Sequence, residues 1–268
     1  MKILILGDVV GASGRKVIKE KLKETINLYK IDFTIINGEN AADDGKGITK
    51  EIAEDFFKYG SNVITSGNHI WDKSGTTEFI SNEKRLLRPA NLAEGSPGNG
   101  YGIYMSKDNK HKIAVINLMG NVFMKKTEDA FTILTNLKKK IKLKKDTDFI
   151  VVDFHGEITS EKMAIGHYLD GEVTAVVGTH THIPTADTRI LSKGTAYQTD
   201  LGMCGDYNSV IGMNKENSIK KFLKDKNAKQ HFPAEGEATI SGIIVEADNN
   251  TGLATNIRRI ISGGVLKD

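Results

Sequence analysis

Residues 2–8 read KILILGD: a lysine, an apolar run, a glycine and a closing carboxylate. The run is far shorter than the roughly 20 apolar residues that span a bilayer. It also ends in an acid, which argues against a signal peptide, so it reads as a buried first strand. The same grammar returns four times. FTIINGEN (33–40) closes in Glu39 and Asn40, NVITSGNH (62–69) in Asn68 and His69, FIVVDFH (149–155) in His155, and TAVVGTHTH (174–182) in His180 and His182. In an open parallel α/β sheet, ligands bind beyond the carboxyl ends of the strands. Five such ends bring carboxylate, amide and imidazole groups to one place, enough for two metal ions.

The segments between these runs carry helical spacing. Gly11 to Gly14 predicts a turn before a lysine-rich helix reaching about Tyr29. Ile52, Phe56 and Tyr59 recur on one helical face before Gly60, and another helical segment lies near 72–82. Strands alternating with helices predict βαβ units and a mainly parallel sheet. Residues 88–111, rich in Gly, Pro and Asn, read as a long surface loop with a short hairpin around Tyr101 to Met105. Long loops are often functional, which makes Arg88, Asn91 and Tyr101 candidates for substrate contact beside the plainer reading of surface-loop duty.

A strand at 112–118 precedes a helix with Phe131, Leu134, Leu137 and Ile141 on one face. Apolar residues interleave the lysines from Lys138 to Lys145 at core spacing, so these lysines read as a solvated helix face rather than a nucleic-acid contact. After His182 the runs 194–200, 238–247 and 255–262 are strand-like, with one helix near 217–225. They are expected to form a second, more antiparallel sheet packed on the first. No repeat or linker interrupts the chain, so residues 1–268 read as a single domain.

The chain has 268 residues, of which 39% are hydrophobic and 26% charged, ordinary values for a globular protein. Its formal net charge of +3 is too small to argue for a nucleic-acid or membrane partner. One cysteine, Cys204, excludes an intramolecular disulfide and fits a reducing compartment, so a cytoplasmic location is expected. The sequence lacks the P-loop spacing around Gly45-Lys46-Gly47, a dinucleotide fingerprint among Gly7, Gly11 and Gly14, and a G-x-S-x-G elbow.

Each candidate ligand has a plainer alternative. Asp8 ends a buried strand, where an unpaired carboxylate needs a cation or several donors; alone it reads equally as a cap for the segment starting near Ser13. Glu39 and Asn40 serve one site only if the chain turns at Gly38. Asn68 is a weak ligand suited to a charge-rich cluster, which leaves His69 free for acid–base work. His180 and His182, two apart on an extended segment, face the same side and could reach one centre with His155. His111, His167 and His231 are expected to be outside the site. Imidazoles, carboxylates and amides without thiolate suit Mn, Fe or Zn, whereas all-oxygen sets suit Mg or Ca. Two ions about 3.5–4 Å apart clamp a phosphate and turn water into a nucleophile at neutral pH.

Asp8, GEN at 38–40, GNH at 67–69, His155 and GTHTH at 178–182 together resemble the motif set of the calcineurin-like metallophosphoesterases. Within that family GDVVGASGR, INGENAA, GNHIWD, RPAN and VVGTHTHIPTAD are similar to the YmdB-type branch of bacterial phosphodiesterases, along essentially the whole chain. The resemblance implies a four-layer αββα sandwich, an α/β fold of two mixed sheets flanked by helices. It also implies two metal ions, with Fe or Mn expected ahead of Zn or Mg. Asp8, Asn40 and His182 would hold one ion, and Asn68, His155 and His180 the other. Glu39 would bridge them, and His69 would act as general acid.

The chain departs from the general D-x-H and G-D patterns at Val10 and Glu39. These departures imply that Asn40 takes a histidine's place and that the first metal is less nitrogen-rich. The implied activity is hydrolysis of phosphodiesters, notably 2′,3′-cyclic nucleotides such as 2′,3′-cAMP, by a metal-bridging hydroxide. The alternatives are a metal-dependent ribonuclease or nuclease acting on RNA or DNA, and a nucleotide-binding regulatory metalloprotein with little turnover. A small phosphodiester is the expected partner, no membrane is involved, and a homo-oligomer is expected. Asn117 and Asp200, which end strand-like runs, are candidate partners for the ligands.

Overall fold

A computed structural model describes residues 1–266. The elements run β1 (Lys2–Val9), α1 (Gly11–Tyr29), β2 (Phe33–Asn37), α2 (Lys50–Tyr59), β3 (Val63–Thr65), α3 (Thr76–Asn82), β4 (Tyr101–Met105), β5 (Lys112–Met119) and α4 (Ala130–Lys140). They continue with β6 (Phe149–His155), α5 (Thr159–Tyr168), β7 (Ala175–Thr179), β8 (Arg189–Ile190), β9 (Ala196–Gln198), β10 (Met203–Cys204), α6 (Lys215–Phe222), β11 (Ile240–Ala247) and β12 (Ala254–Ser262). One sheet has the order β12-β11-β1-β2-β3, with β10 also paired to β1; the other has the order β4-β5-β6-β7-β9-β8.

Strand alternation sorts the side chains into four layers. Ile3, Ile5, Phe33 and Ile35 of the first sheet meet Ile113, Val115, Phe149 and Val151 of the second in a core between the sheets. Their neighbours Leu4, Leu6 and Ile36 point the other way, onto Val17, Ile18 and Leu22 of α1 and Ala53 and Phe56 of α2. On the far side, Ala114, Ile116, Ile150 and Val152 pack on Leu134 and Leu137 of α4 and Ile165 of α5. The result is an α/β fold of the αββα type. Both sheets are mixed: β1, β2 and β3 run parallel, as do β5, β6, β7 and β9, with antiparallel strands at the edges.

Two expectations change. Of the runs after His182, 194–200 joins the second sheet as β9 beside β7, but 238–247 and 255–262 do not. β11 lies antiparallel to β1, from Lys2 opposite Glu246 to Leu6 opposite Gly242, and β12 closes that same sheet. The second sheet begins at β4, where the long loop was expected to hold a short hairpin, and β4 pairs antiparallel with β5 rather than within the loop. The turn expected at Gly11 to Gly14 is also absent: α1 starts at Gly11, whose amide donates to the Asn40 carbonyl at 2.9 Å.

The lysines of the last turn of α4 and of the segment after it lie on solvated surface, with Lys138 paired to Glu172 and Lys144 to Asp148. Among the described residues, no helix is long and apolar enough to cross a membrane.

Candidate metal centre

The carboxyl ends of β1, β2, β3, β6 and β7 deliver the donors, and local backbone features aim them. In β1 the pairing with β2 shifts register between Leu6 and Asp8, a bulge of the kind that re-aims a side chain. Gly7 is required there, because a Cβ would run into the Gly202 carbonyl oxygen. After β2 the chain turns: the Asn37 side-chain oxygen accepts the Glu39 amide at 3.1 Å, and Glu39 and Asn40 are both buried. The Ser66 amide donates to Asn117 Oδ1 at 2.9 Å, which holds the segment leading to Asn68.

His180 and His182 lie beyond β7 with φ of 101° and 67°. These left-handed values are strained for bulky residues, costing on the order of 1–3 kcal/mol each. Asp200 stabilises the turn between them, accepting from the Thr181 amide at 3.0 Å, the Thr181 hydroxyl at 2.7 Å and the buried Lys162 ammonium at 2.6 Å. Extended-strand alternation is therefore not what places these histidines, and they serve different partners.

Around His155 Nε2, the Glu39 Oε1 carboxylate oxygen stands at 2.9 Å, His180 Nδ1 at 3.0 Å and Asn68 Oδ1 at 3.3 Å. Glu39, His155 and His180 form a group whose ligand atoms lie within 4.8 Å of one another. The outer nitrogens fix the tautomers. His155 Nδ1 donates to the Thr179 hydroxyl at 2.9 Å, because that hydroxyl gives its own hydrogen to Asp153 Oδ1 at 2.8 Å. His180 Nε2 faces Glu157 at 3.0 Å.

Lone pairs from four residues thus converge. A proton on His155 Nε2 can satisfy one facing acceptor, whereas a metal ion satisfies all four atoms. Ligand atoms bonded at about 2.0–2.2 Å to one ion stand roughly 3 Å apart, which matches these separations. Gly67 keeps the space open, since a Cβ there would collide with His155 Nε2 and Glu39 Oε2.

The second group is sparser. His182 Nδ1 donates to the Ile211 carbonyl at 2.8 Å, which turns the Nε2 lone pair toward Asn40 Oδ1 at 3.2 Å. The Asn40 amide nitrogen is used on the Gly45 carbonyl at 2.9 Å, so two acceptors face each other. Asp8 is fully buried. Its Oδ2 accepts the His180 amide at 3.1 Å, while Oδ1 has no hydrogen-bond partner among the described residues. An orphaned buried carboxylate oxygen beside two opposed acceptors fits a cation.

The acid–base shifts reflect this crowding. Burial pushes the Asp8 carboxyl up to about 6, against the pull of His182 and His155. Burial also works to raise Glu39, but His155 outweighs it and holds the carboxyl at about 2. Burial opposes charge on His155, yet Glu39 and Asp8 carry it up to about 9. His180 is pushed down to about 3 by burial and by His155.

His69 stands at the lip of the cluster. Its amide donates to Glu39 Oε2 at 3.1 Å, and its Nδ1 lies 2.6 Å from Asp72 Oδ2. With Nδ1–H held by that carboxylate, Nε2 is left for the cleft that His69 lines with His180 and His182.

Other sequence candidates have structural duties. The Arg88 guanidinium bonds the carbonyls of Pro89, Ser96 and Pro97, and buried Asn91 bonds Met119, Thr127 and Glu128. Tyr101 lies on strand β4. Neither Asn117 nor Asp200 touches a candidate ligand's side chain; each holds the backbone beside one. His111, His167 and His231 do not line the cleft. The sequence reading missed Asn37, Asp153, Glu157 and Thr179. An acid inside the apolar run FIVVDFH was a legible signal for Asp153, because a buried carboxylate needs donors. It receives them from Thr65, Thr179 and Asn37.

A four-layer sandwich with metal-binding groups gathered at the strand ends is the metallophosphoesterase fold. The chain matches the family model described as YmdB-like protein over residues 4–260. It is 47% identical over 261 residues to a Bacillus subtilis protein named 2′,3′-cyclic-nucleotide 2′-phosphodiesterase, covering 97% of each chain. Among solved structures, a novel phosphatase from Mycoplasma pneumoniae superposes with a TM-score of 0.90 at 38% identity, covering 98% of this chain and 93% of that one. A hypothetical protein from Thermus thermophilus gives a TM-score of 0.90 at 34% identity, covering 98% of this chain and 100% of that one. The chain belongs to the YmdB-like family.

Proposed function

We propose that this protein is a metal-dependent phosphodiesterase that hydrolyses 2′,3′-cyclic nucleotides at a two-metal centre. The observation that carries the reading is the convergence of Glu39, Asn68, His155 and His180 lone pairs beside the orphaned Asp8 oxygen. The 47% identity to the Bacillus enzyme supplies the substrate class. Asn68, His155 and His180 would hold one ion and Asp8, Asn40 and His182 the other, with Glu39 able to serve both. Iron or manganese suits this mixed oxygen and nitrogen set. When bound, such a pair supplies Lewis-acid charge to phosphate oxygens and an ionised water as nucleophile.

The chain's own residues do the rest. Asp72 holds His69 Nδ1, so that Nε2 can give a proton to the leaving ribose oxygen. Thr179, Glu157 and the Ile211 carbonyl keep the three imidazoles in the tautomers that present lone pairs inward. By likeness to the Bacillus relative, the 2′ bond breaks and a 3′-nucleotide leaves.

The test is hydrolysis of 2′,3′-cyclic AMP and bis-p-nitrophenyl phosphate by manganese-loaded protein and its His69→Ala variant, with metal counted in both. The reading expects turnover in the parent, release of 3′-AMP, and a loss of about 10²–10⁴-fold in the variant with metal retained. Equal turnover in the two proteins contradicts it.

A further inference from the structure

We propose that Lys46 anchors the substrate's phosphate, as the cation that meets non-bridging oxygens on the open side of the metal cluster. The inference rests on the phosphodiesterase reading and adds a residue to it. Lys46 lines the cleft formed with Glu39, Asn40, His69, His180 and His182, and among the described residues it is the one lysine or arginine that does so. Its neighbours are spoken for: Arg15 pairs with Asp43, and the Lys73 ammonium with Asp44 at 2.6 Å. Both acids of its own loop are thereby taken. No carboxylate of the described residues lies within ion-pair distance of the Lys46 ammonium.

The loop holds this lysine in place. Gly45 and Gly47 flank it at φ of 76° and 79°. The Gly45 carbonyl accepts the Asn40 side-chain amide at 2.9 Å, and the Gly47 amide donates to the Glu39 carbonyl. The backbone around Lys46 is thus tied to two candidate metal ligands, while the side chain stays exposed. A cyclic phosphodiester carries one negative charge and its hydrolysis product two. An ammonium reaching the phosphate from this loop therefore gains as the ring opens, and a charge-assisted bond to phosphate oxygen is among the stronger polar contacts.

The experiment measures binding of inorganic phosphate to manganese-loaded protein by calorimetry, with Lys46→Ala, Lys46→Gln and the exposed Lys50→Ala as a control. Metal content of each protein and kcat/KM for 2′,3′-cyclic AMP are recorded alongside. The proposal expects phosphate affinity to fall about 10-fold or more in both Lys46 variants. Metal content should match the parent, and Lys50→Ala should bind as the parent does. Unchanged affinity overturns it. Loss of metal in the Lys46 variants also overturns it, because the loop would then serve Asn40 rather than the substrate. If the parent binds phosphate through Lys46 but turns over no phosphodiester, the anchor stands and the assigned activity fails.

Discussion

The two halves of the candidate metal cluster are built differently. In the half centred on His155, three donor atoms stand within 3.3 Å of one imidazole nitrogen, and side chains of Thr179 and Glu157 orient the rings. In the half formed by Asp8, Asn40 and His182, only one imidazole is present, and a backbone carbonyl orients it. That half also holds the Asp8 oxygen that lacks a hydrogen bond, while left-handed backbone is common to both halves, at His180 and at His182. A donor set with more nitrogen and more orienting contacts binds a borderline metal more tightly. Two ions bound as proposed should therefore differ in affinity, with the Asp8 side the first to empty.

The largest effect should come from the residue common to both halves. Glu39→Gln removes the shared charge, and elemental analysis should find less than one ion per chain with turnover below detection. Two ions and parental rates in that variant would break the comparison.

Next come His180→Ala and His182→Ala, compared by metal content. His182→Ala should keep one tightly held ion, whereas His180→Ala should retain metal poorly at both positions, because the remaining half is the weaker one. Equal retention in the two variants would erase the distinction between the halves.

A smaller change should follow at Asp153, which touches no candidate metal ligand but holds the hydroxyl that orients His155. Asp153→Asn should lower metal affinity by about 10–100-fold while leaving His69 chemistry intact. A chelator titration reads this directly, and an unchanged curve would limit the orienting role to Thr179 alone.

The smallest effect concerns the metal-stripped protein. His155 is raised from 6.5 to about 9, so its ion pair stabilises the fold fully below pH 6.5 and is lost as pH rises through about 9. Asp8 is raised from 3.8 to about 6, so its burial grows more unfavourable as pH rises through that interval. Glu39 acts oppositely but only in acid, between 4.5 and about 2. The His155 shift predicts a melting temperature that falls from about pH 6.5 to about pH 9 in stripped protein, with a shallower fall after metal is restored. A rise across that range would contradict the electrostatics given for the cluster.

The strand ends that carry the cluster were legible because each is an apolar run closed by a ligand-type residue, a local pattern. Sheet membership was not. The run 238–247 is a clear strand in sequence, but its choice of β1 as antiparallel partner depends on Leu6 opposite Gly242, a match made across the whole chain. The pairing of His180 and His182 on one strand face failed for a related reason: the chain leaves the strand at Thr179, and Asp200 stabilises two left-handed residues that no propensity favours. Glu157 and Thr179 look like ordinary polar residues until the fold sets them behind an imidazole. Arg88 and Asn91 show the converse, since ligand-like side chains in a long loop are used up on that loop's carbonyls and on neighbouring backbone.

The most direct test is turnover of 2′,3′-cyclic AMP by stripped protein as manganese is added back in counted equivalents. The account predicts little activity at one equivalent, which fills the His155 side, and full activity only as the second fills the Asp8 side. Full activity at one equivalent, or turnover with none, would contradict it.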